Sequence, residues 1–272
     1  LDKVFFCGVW VNYGHNANFN FIGGPAGALL ASKLAASKEA PQVLLLEAGG
    51  DSLTDYPARE RFTVVKTKPE LNWGYTTVPQ QQLSGQQIDY ARGKALGGTT
   101  NTNFGMWTRP SQGDFEEWEE RIGDNFFGWE HASRSLDAIE RYGHLDNVAW
   151  DQYGGRRDQG TGDVPLSFSN DRNEANEVLL NAFANYGSLS HPFTRDINSG
   201  ELIGTAVIPI MAKDGIYRAT AATVYLSNPP ANLHIKKNSE VARVILDEGK
   251  TRCIGVETVL GQTCQYPALA ST

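Results

Sequence analysis

An α/β fold with parallel strands is what this sequence of 272 residues predicts, and three observations predict it. Phe19 to Ile22 is a short run, apolar at alternate positions, that stops at Gly23-Gly24-Pro25, so a strand gives way to a turn. Ala26 to Ser37 then carries Leu29, Leu30, Lys33 and Leu34 at helical spacing, and Gln42 to Leu46 is a continuous apolar run ending in Glu47-Ala48-Gly49-Gly50. Strand, helix, strand in that order is a β-α-β unit, whose crossover requires the strands to be parallel. Sheets of this type receive ligands at the carboxyl ends of their strands.

The remaining elements follow in order. Asp51 to Asp89 reads as a long irregular excursion carrying Trp73, Tyr75 and several prolines. Asp114 to Ile122 reads as a helix with Phe115, Trp118 and Ile122 on one side and the pairs Glu116-Glu117 and Glu119-Glu120 on a solvated face. Trp129 to Tyr142 reads as a second helix with Leu136 and Ile139 inward. Tyr153 to Gly162, rich in Gly and Arg, marks a passage between domains. Asn173 to Asn185 is an amphipathic helix with Ala175, Val178, Leu179, Ala182 and Phe183 on its apolar side. Leu202 to Ile210 and Leu233 to Ile235 are strand-like, and Asp247-Glu248-Gly249-Lys250 joins the β-branched runs Ala242 to Leu246 and Cys253 to Leu260 into a hairpin.

Composition narrows the partners. Lys and Arg number 24 against 31 Asp and Glu, a formal charge of −7 without a basic stripe, which gives nucleic acid little electrostatic purchase and favours small molecules. No run approaches the roughly eighteen apolar residues of a membrane span. Cys7, Cys253 and Cys264 are too few for a disulfide framework and lack metal-binding C-x-x-C spacing, so free thiols are expected, with Cys253 and Cys264 facing each other on neighbouring strands as the alternative. The sequence has no Asn-x-Ser/Thr sequon, which favours an intracellular over a secreted protein. Val4 to Val11 is apolar but has no initiating Met and no small-residue cleavage site, so residues 1–18 are read as a leader outside the pattern.

Two motifs carry the chemistry. A dinucleotide fingerprint, G-x-G-x-x-G, needs one glycine for a tight turn, one for approach of the pyrophosphate and one for helix packing. In Ile22-Gly23-Gly24-Pro25-Ala26-Gly27 the second and third roles fall to Gly24 and Gly27, while Ile22 stands in the first, where a β-branched residue tolerates positive φ badly. Glu47 ends the second strand at the position of the acid that grips the nucleotide ribose. The turn, helix, strand and acid together indicate nucleotide binding without choosing between NAD and FAD. The second motif, Arg92 to Pro110, places Gly97-Gly98 before Thr99, Thr100, Asn101, Thr102 and Asn103, so backbone can approach a ligand closely with amide and hydroxyl groups free for phosphate and ring oxygens.

Together with residues 19–49, this second segment resembles the FAD-binding signature of the glucose/methanol/choline (GMC) oxidoreductases, approximately R-G-x-x-L-G-G-S-[ST]-x-x-N-G-x-x-[WY]-x-R. Arg92, Gly93, Leu96, Gly97, Gly98, Thr99, Asn103 and Trp107 match it, and Phe104 stands where a second glycine is usual. The ending Met106-Trp107-Thr108-Arg109-Pro110 leans toward the glucose-oxidase-like branch. Asp196-Ile197-Asn198-Ser199-Gly200 with Gly204, Arg218 to Leu226 with Asn232-Leu233, Glu240 to Val244 and Gly255-Val256-Glu257 resemble further family segments, so the likeness runs from about residue 19 to 265.

The resemblance implies a Rossmann-like FAD-binding domain with part of a second, α+β substrate domain: residues 19–150 and 233–272 in the first, 151–232 in the second. It implies that Gly23, Gly24, Gly27, Glu47, Ala48, Gly105 and Met106 join the matched residues and Phe104 around FAD, with the Val241 backbone at the adenine. The implied reaction is hydride transfer from an alcohol or sugar carbon to the flavin, while a histidine pair takes the hydroxyl proton. That pair is expected beyond the C-terminus, so the chain carries the N-terminal half of the pattern and its catalytic residues are unknown. His15, His131, His144, His191 and His234 have neither a partnered acid nor metal spacing, and no metal site is expected. A homo-oligomer or a missing C-terminal half is the expected partner. Two other readings stay open: an inactive nucleotide-binding remnant or interaction protein, and an NAD-dependent dehydrogenase, which Glu47 permits and Arg92 to Trp107 disfavours.

Overall fold

The computed structural model describes residues 9–10, 18–51, 68–143, 160–168, 174–186, 192–194, 196–250 and 253–265. In chain order the elements begin with β1 (Val9–Trp10), β2 (Asn18–Ile22), α1 (Pro25–Ala35), β3 (Gln42–Leu46), α2 (Gln112–Ile122) and α3 (Trp129–Asp137). They continue with β4 (Glu140–Tyr142), β5 (Val164–Ser167), α4 (Glu174–Tyr186), β6 (Ile210–Lys213), β7 (Tyr217–Arg218) and α5 (Ala221–Tyr225). Four strands close the list: β8 (Leu233–Lys236), β9 (Val241–Leu246), β10 (Cys253–Thr258) and β11 (Thr263–Gln265). The chain divides into two compact units, one within 1–54, 62–103 and 220–272, the other within 55–61 and 104–219.

The first unit holds the predicted β-α-β. Its sheet has the order β1-β2-β3-β8, with β2 parallel to β3, β3 parallel to β8, and β1 antiparallel at the edge. Helix α1 starts where Pro25 at the first helical position fixes φ and gives up an amide that no helical carbonyl would have accepted. Its buried face is built from small residues, Ala28, Ala31 and Ala35, which lets the helix lie close on Val43, Leu45 and Leu233. Each fully buried branched side chain contributes about 1.5–3 kcal/mol over an exposed one. Asn232 ties the sheet to the end of the helix: its Nδ2 donates to Ala35 O at 2.9 Å and to Pro41 O at 2.6 Å.

A second, three-stranded sheet of this unit has the order β11-β10-β9. The hairpin β9–β10 stands as expected, with Lys250 at φ 53 in its turn, while β11 was hidden because Thr263 to Gln265 is too short to show a period. Cys253 pairs in register with Leu246 and Cys264 with Val256, so the two cysteines are offset along β10 and Cys253 is a free thiol. The stretch 72–93 is more regular than expected. Bridges Asn72↔Gly93, Thr76↔Asp89 and Gln80↔Gln86 fold it into an antiparallel ribbon that turns at Ser84-Gly85, both with positive φ.

The second unit contains a sheet of order β4-β5-β6-β7 and the helices α2, α3 and α4. Helix α2 is fixed by a reciprocal cap, Ser111 accepting from the Asp114 amide and the Asp114 carboxylate from the Ser111 amide. The helix expected over 129–142 ends at Asp137, and Glu140–Tyr142 become a strand parallel to β5. Tertiary pairing overrides the helical pattern there, because Glu140 is held by a buried arginine described below. The strand expected over 202–210 is confined to Ile210–Lys213. Helix α4 forms as predicted, yet none of its residues is buried: Val178 and Phe183 are 62% and 43% exposed.

Candidate functional site

The parallel ladder between β2 and β3 runs on into the first glycine turn, where the Gly23 amide donates to Leu46 O at 3.0 Å. Ile22 is the last residue of β2, in register with Leu46, and is not among the non-glycine residues with positive φ. The strain expected at Ile22 is therefore absent, since the strand simply extends through the position the fingerprint gives to its first glycine. Gly24 is extended, with φ −68 and ψ 179, and a Cβ built on it would enter open space. The helix begins with the Ala28 amide donating to Gly24 O, which leaves the Ala26 and Gly27 amides ahead of the first helical acceptor at the positive end of α1. Gly27 itself is buried against the sheet.

Glu47 sits directly after β3 and is 4% exposed. Its Oε1 accepts from the Gly49 amide at 2.8 Å, and the Ala48 amide also donates to the carboxylate. Burial pushes its carboxyl above the usual range, against the opposing pull of those two amides and of Lys94. The half-buried Ala48 leads into Gly49, whose missing side chain makes room for the Lys94 carbonyl. Gly49 is outside the expected site; its signal in the sequence is the Gly49-Gly50 pair one residue past Glu47.

The segment Arg92 to Asn103 folds against this end of the sheet. Leu96 is buried and its amide donates to Gly50 O at 3.1 Å, while the Gly97 amide donates to Gly23 O at 2.7 Å. Gly97 and Gly98 both have positive φ, 84 and 53, and a Cβ on Gly98 would lie 2.8 Å from Gly24 Cα. Gly93 donates to Thr99 Oγ1 at 3.2 Å and has no room for a Cβ beside the Gly98 carbonyl. Asn101, buried and absent from the expected site, holds the turn by donating from Nδ2 to Leu96 O at 2.8 Å and Gly98 O at 2.9 Å. The Asn103 amide closes the turn on Thr99 O at 2.9 Å. The Arg92 guanidinium lies 3.8 Å over the Tyr90 ring, an exposed cation–π contact. Val241 opens β9, half-buried, in register with Thr258.

Phe104, Gly105, Met106 and Trp107 belong to the second unit. Gly105, at φ 72, accepts from the Met211 amide at 2.7 Å, and the Trp107 amide donates to Pro209 O at 2.8 Å, which leaves Phe104 and Met106 about half exposed. The Trp107 indole donates from Nε1 to Glu140 Oε1 at 2.7 Å. Glu140, 1% exposed, also accepts from Arg109 Nε at 2.8 Å and Nη2 at 2.5 Å, and Arg109 reaches Asp137 at 2.7 Å. Burial works against the Arg109 charge, but the bonds to Glu140 and Asp137 outweigh it and hold the guanidinium above its ordinary range. Asn198 adds a backbone tie, accepting from the Arg109 amide at 2.8 Å. Burial pushes the neighbouring Tyr142 hydroxyl up to about 12. Of this network the sequence had marked only Trp107 as a site residue.

His131 on α3 packs its ring 4.4 Å from that of Phe126, and His234 on β8 pairs its Nε2 with Gln42 Oε1 at 3.1 Å. His15, His144 and His191 lie outside the described residues, as does Cys7. Among the described residues no helix is long and apolar enough to cross a membrane.

Residues 23–267 match a family model described as GMC oxidoreductase. A pyranose dehydrogenase of Agaricus xanthodermus is 29% identical over 257 residues, 89% of this chain and 41% of that protein. An oxygen-dependent choline dehydrogenase of Xanthomonas campestris pv. campestris (strain B100) is 29% identical over 255 residues, 89% of this chain and 42% of the relative. Pyridoxine 4-oxidase from Mesorbium loti superposes with a TM-score of 0.73 at 26% identity, over 90% of this chain and 47% of its own. Formate oxidase of Aspergillus oryzae RIB40, studied for modification of its FAD, shares the fold with a TM-score of 0.73 at 22% identity, over 90% of this chain and 43% of its own. The chain spans about two-fifths of the length of the curated relatives it matches.

Proposed function

We propose, from the premise that this chain belongs to the GMC oxidoreductase family, that its first unit binds FAD and serves alcohol or sugar oxidation in the whole protein. The observation that carries the reading is the meeting of the two glycine turns at the carboxyl end of β2 and β3, with Gly97 bonded to Gly23, Gly98 packed on Gly24, and Glu47 beside them. Gly24 leaves open the space that a side chain would fill, and the first amides of α1 precede the first helical acceptor, the end of a helix that suits a diphosphate. In this reading Gly24, Ala26 and Gly27 receive the diphosphate, Glu47 receives a ribose hydroxyl, the backbone near Val241 borders the adenine, and the Arg92 to Asn103 segment lies alongside the cofactor. When bound, FAD supplies the hydride acceptor.

A pyranose dehydrogenase and a choline dehydrogenase among the relatives support a small-molecule alcohol or sugar as donor. We assign the base that takes the hydroxyl proton to polypeptide outside this chain, which spans about two-fifths of these relatives; among the described histidines, His131 is packed on Phe126 and His234 is engaged with Gln42. Titration of FAD onto the purified chain, followed by flavin absorbance and fluorescence with NAD as competitor, tests the cofactor. Uptake of FAD that NAD does not displace is expected; NAD binding without FAD uptake overturns the reading.

A further inference from the structure

The two adjacent glycines of the first turn have different surroundings. A Cβ on Gly24 meets nothing within 4 Å, whereas a Cβ on Gly23 would lie 2.5 Å from Glu47 Oε2, 2.9 Å from its Cβ and 3.3 Å from its Cδ. The Glu47 side chain is not free to move aside. Its backbone is fixed on both sides, the amide donating to Lys236 O at 3.0 Å and the carbonyl accepting from the Ser239 amide at 2.8 Å, and its carboxylate is held by the Gly49 amide. The carboxylate thus folds back over Gly23, and the room it occupies is the room left by the missing side chain.

We propose that Gly23 is a positioning residue that acts through Glu47: its lack of a Cβ sets where the Glu47 carboxylate stands to receive the ribose of the cofactor. This rests on the FAD reading above and adds a division of labour, in which Gly24 makes way for the ligand and Gly23 makes way for the acid. It also accounts for a fingerprint that works with Ile22 in its first place. Ile22 is strand, and the clearance needed after it belongs to Gly23.

The test is a double-mutant cycle on the full chain with Gly23→Ala, Glu47→Ala and both together, read as FAD affinity by fluorescence titration and as the melting temperature without FAD. Loss of a hydrogen bond to a charged group weakens binding by about 10- to 100-fold. Gly23→Ala is expected to lose affinity within that range, Glu47→Ala likewise, and the double variant no more than Glu47→Ala alone. Without FAD, Gly23→Ala should lower the melting temperature, and Glu47→Ala should restore it. A Gly23→Ala variant with unchanged affinity and melting temperature overturns the proposal, as do losses that add in full. If Gly23→Ala does not fold, recovery of folding in the double variant supports the proposal and failure of both overturns it. Wild-type chain that takes up no FAD sinks the functional reading, while the melting cycle still decides whether Gly23 and Glu47 are coupled.

Discussion

The Gly97 amide donates to the Gly23 carbonyl at 2.7 Å, across more than seventy residues of sequence. This bond joins the turn that opens α1 to the turn that opens the Gly98–Asn101 helical turn, so neither is a free loop. Gly98, stacked on Gly24 and Pro25, completes the contact.

That contact separates the effects of two glycines. Gly24→Val points its side chain into open space, so the melting temperature should stay near that of the wild type while FAD retention is lost. Gly98→Ala places a Cβ 2.8 Å from Gly24 Cα at a residue with φ 53, which should cost about 1–3 kcal/mol of stability even without cofactor. Parallel thermal melts and flavin titrations of both variants check this, and equal stability losses would refute it.

Glu47 gives the first unit a pH dependence. Its carboxyl is raised by burial in the folded chain, so the unfolded chain ionises first as pH rises. Its contribution to stability is full below the unfolded value and is lost as pH climbs through the raised folded value. Glu47→Gln keeps the acceptor for Gly49 and removes the charge, so the variant should gain stability relative to wild type as pH is raised from 4 to 7. Denaturant melts of both chains across that range measure the difference; an unchanged difference contradicts the assignment.

In the second unit, Glu140→Ala leaves Arg109 buried with Asp137, itself partly exposed, as its one acidic partner among the described residues. Breaking one side of a buried pair costs about 3–5 kcal/mol. Replacing both residues, as in Arg109→Met with Glu140→Leu, should cost clearly less than Glu140→Ala alone. Urea denaturation of the three chains is the measurement.

Asn101→Ala removes two donors to buried carbonyls, Leu96 O and Gly98 O, and should destabilise the first unit by about 1–3 kcal/mol. Hydrogen exchange at the Gly97 and Leu96 amides should rise in that variant before exchange in β3 does.

The β-α-β unit was legible because its hydrophobic runs, its Gly-Gly-Pro turn and its terminal acid are all local signals. The hairpin β9–β10 was legible for the same reason. What stayed hidden depends on partners far away in sequence. Nothing near Glu140 announces that Trp107 and Arg109 will claim it, and that claim turns the end of a readable helix into strand β4. Asn101 and Gly49 serve the candidate site through backbone contacts that residue type alone does not disclose. Gly23 has the sequence context of a phosphate turn, and its clearance for Glu47 depends on packing between residues 24 positions apart.

Asn232 reaches back across 197 residues to cap Ala35, and β8 beside it completes the sheet that β2 and β3 begin. During synthesis the ribosome must therefore deliver all of 104–219 before the first parallel sheet can close. The later unit in sequence has the opportunity to fold first, while the nucleotide-type core waits as an open pair of strands with an uncovered edge. Such an interval is when an unfinished sheet is most exposed to pairing with a neighbouring chain. Chaperone demand and yield of this protein should accordingly track how quickly residues 233–236 follow the rest out of the exit tunnel.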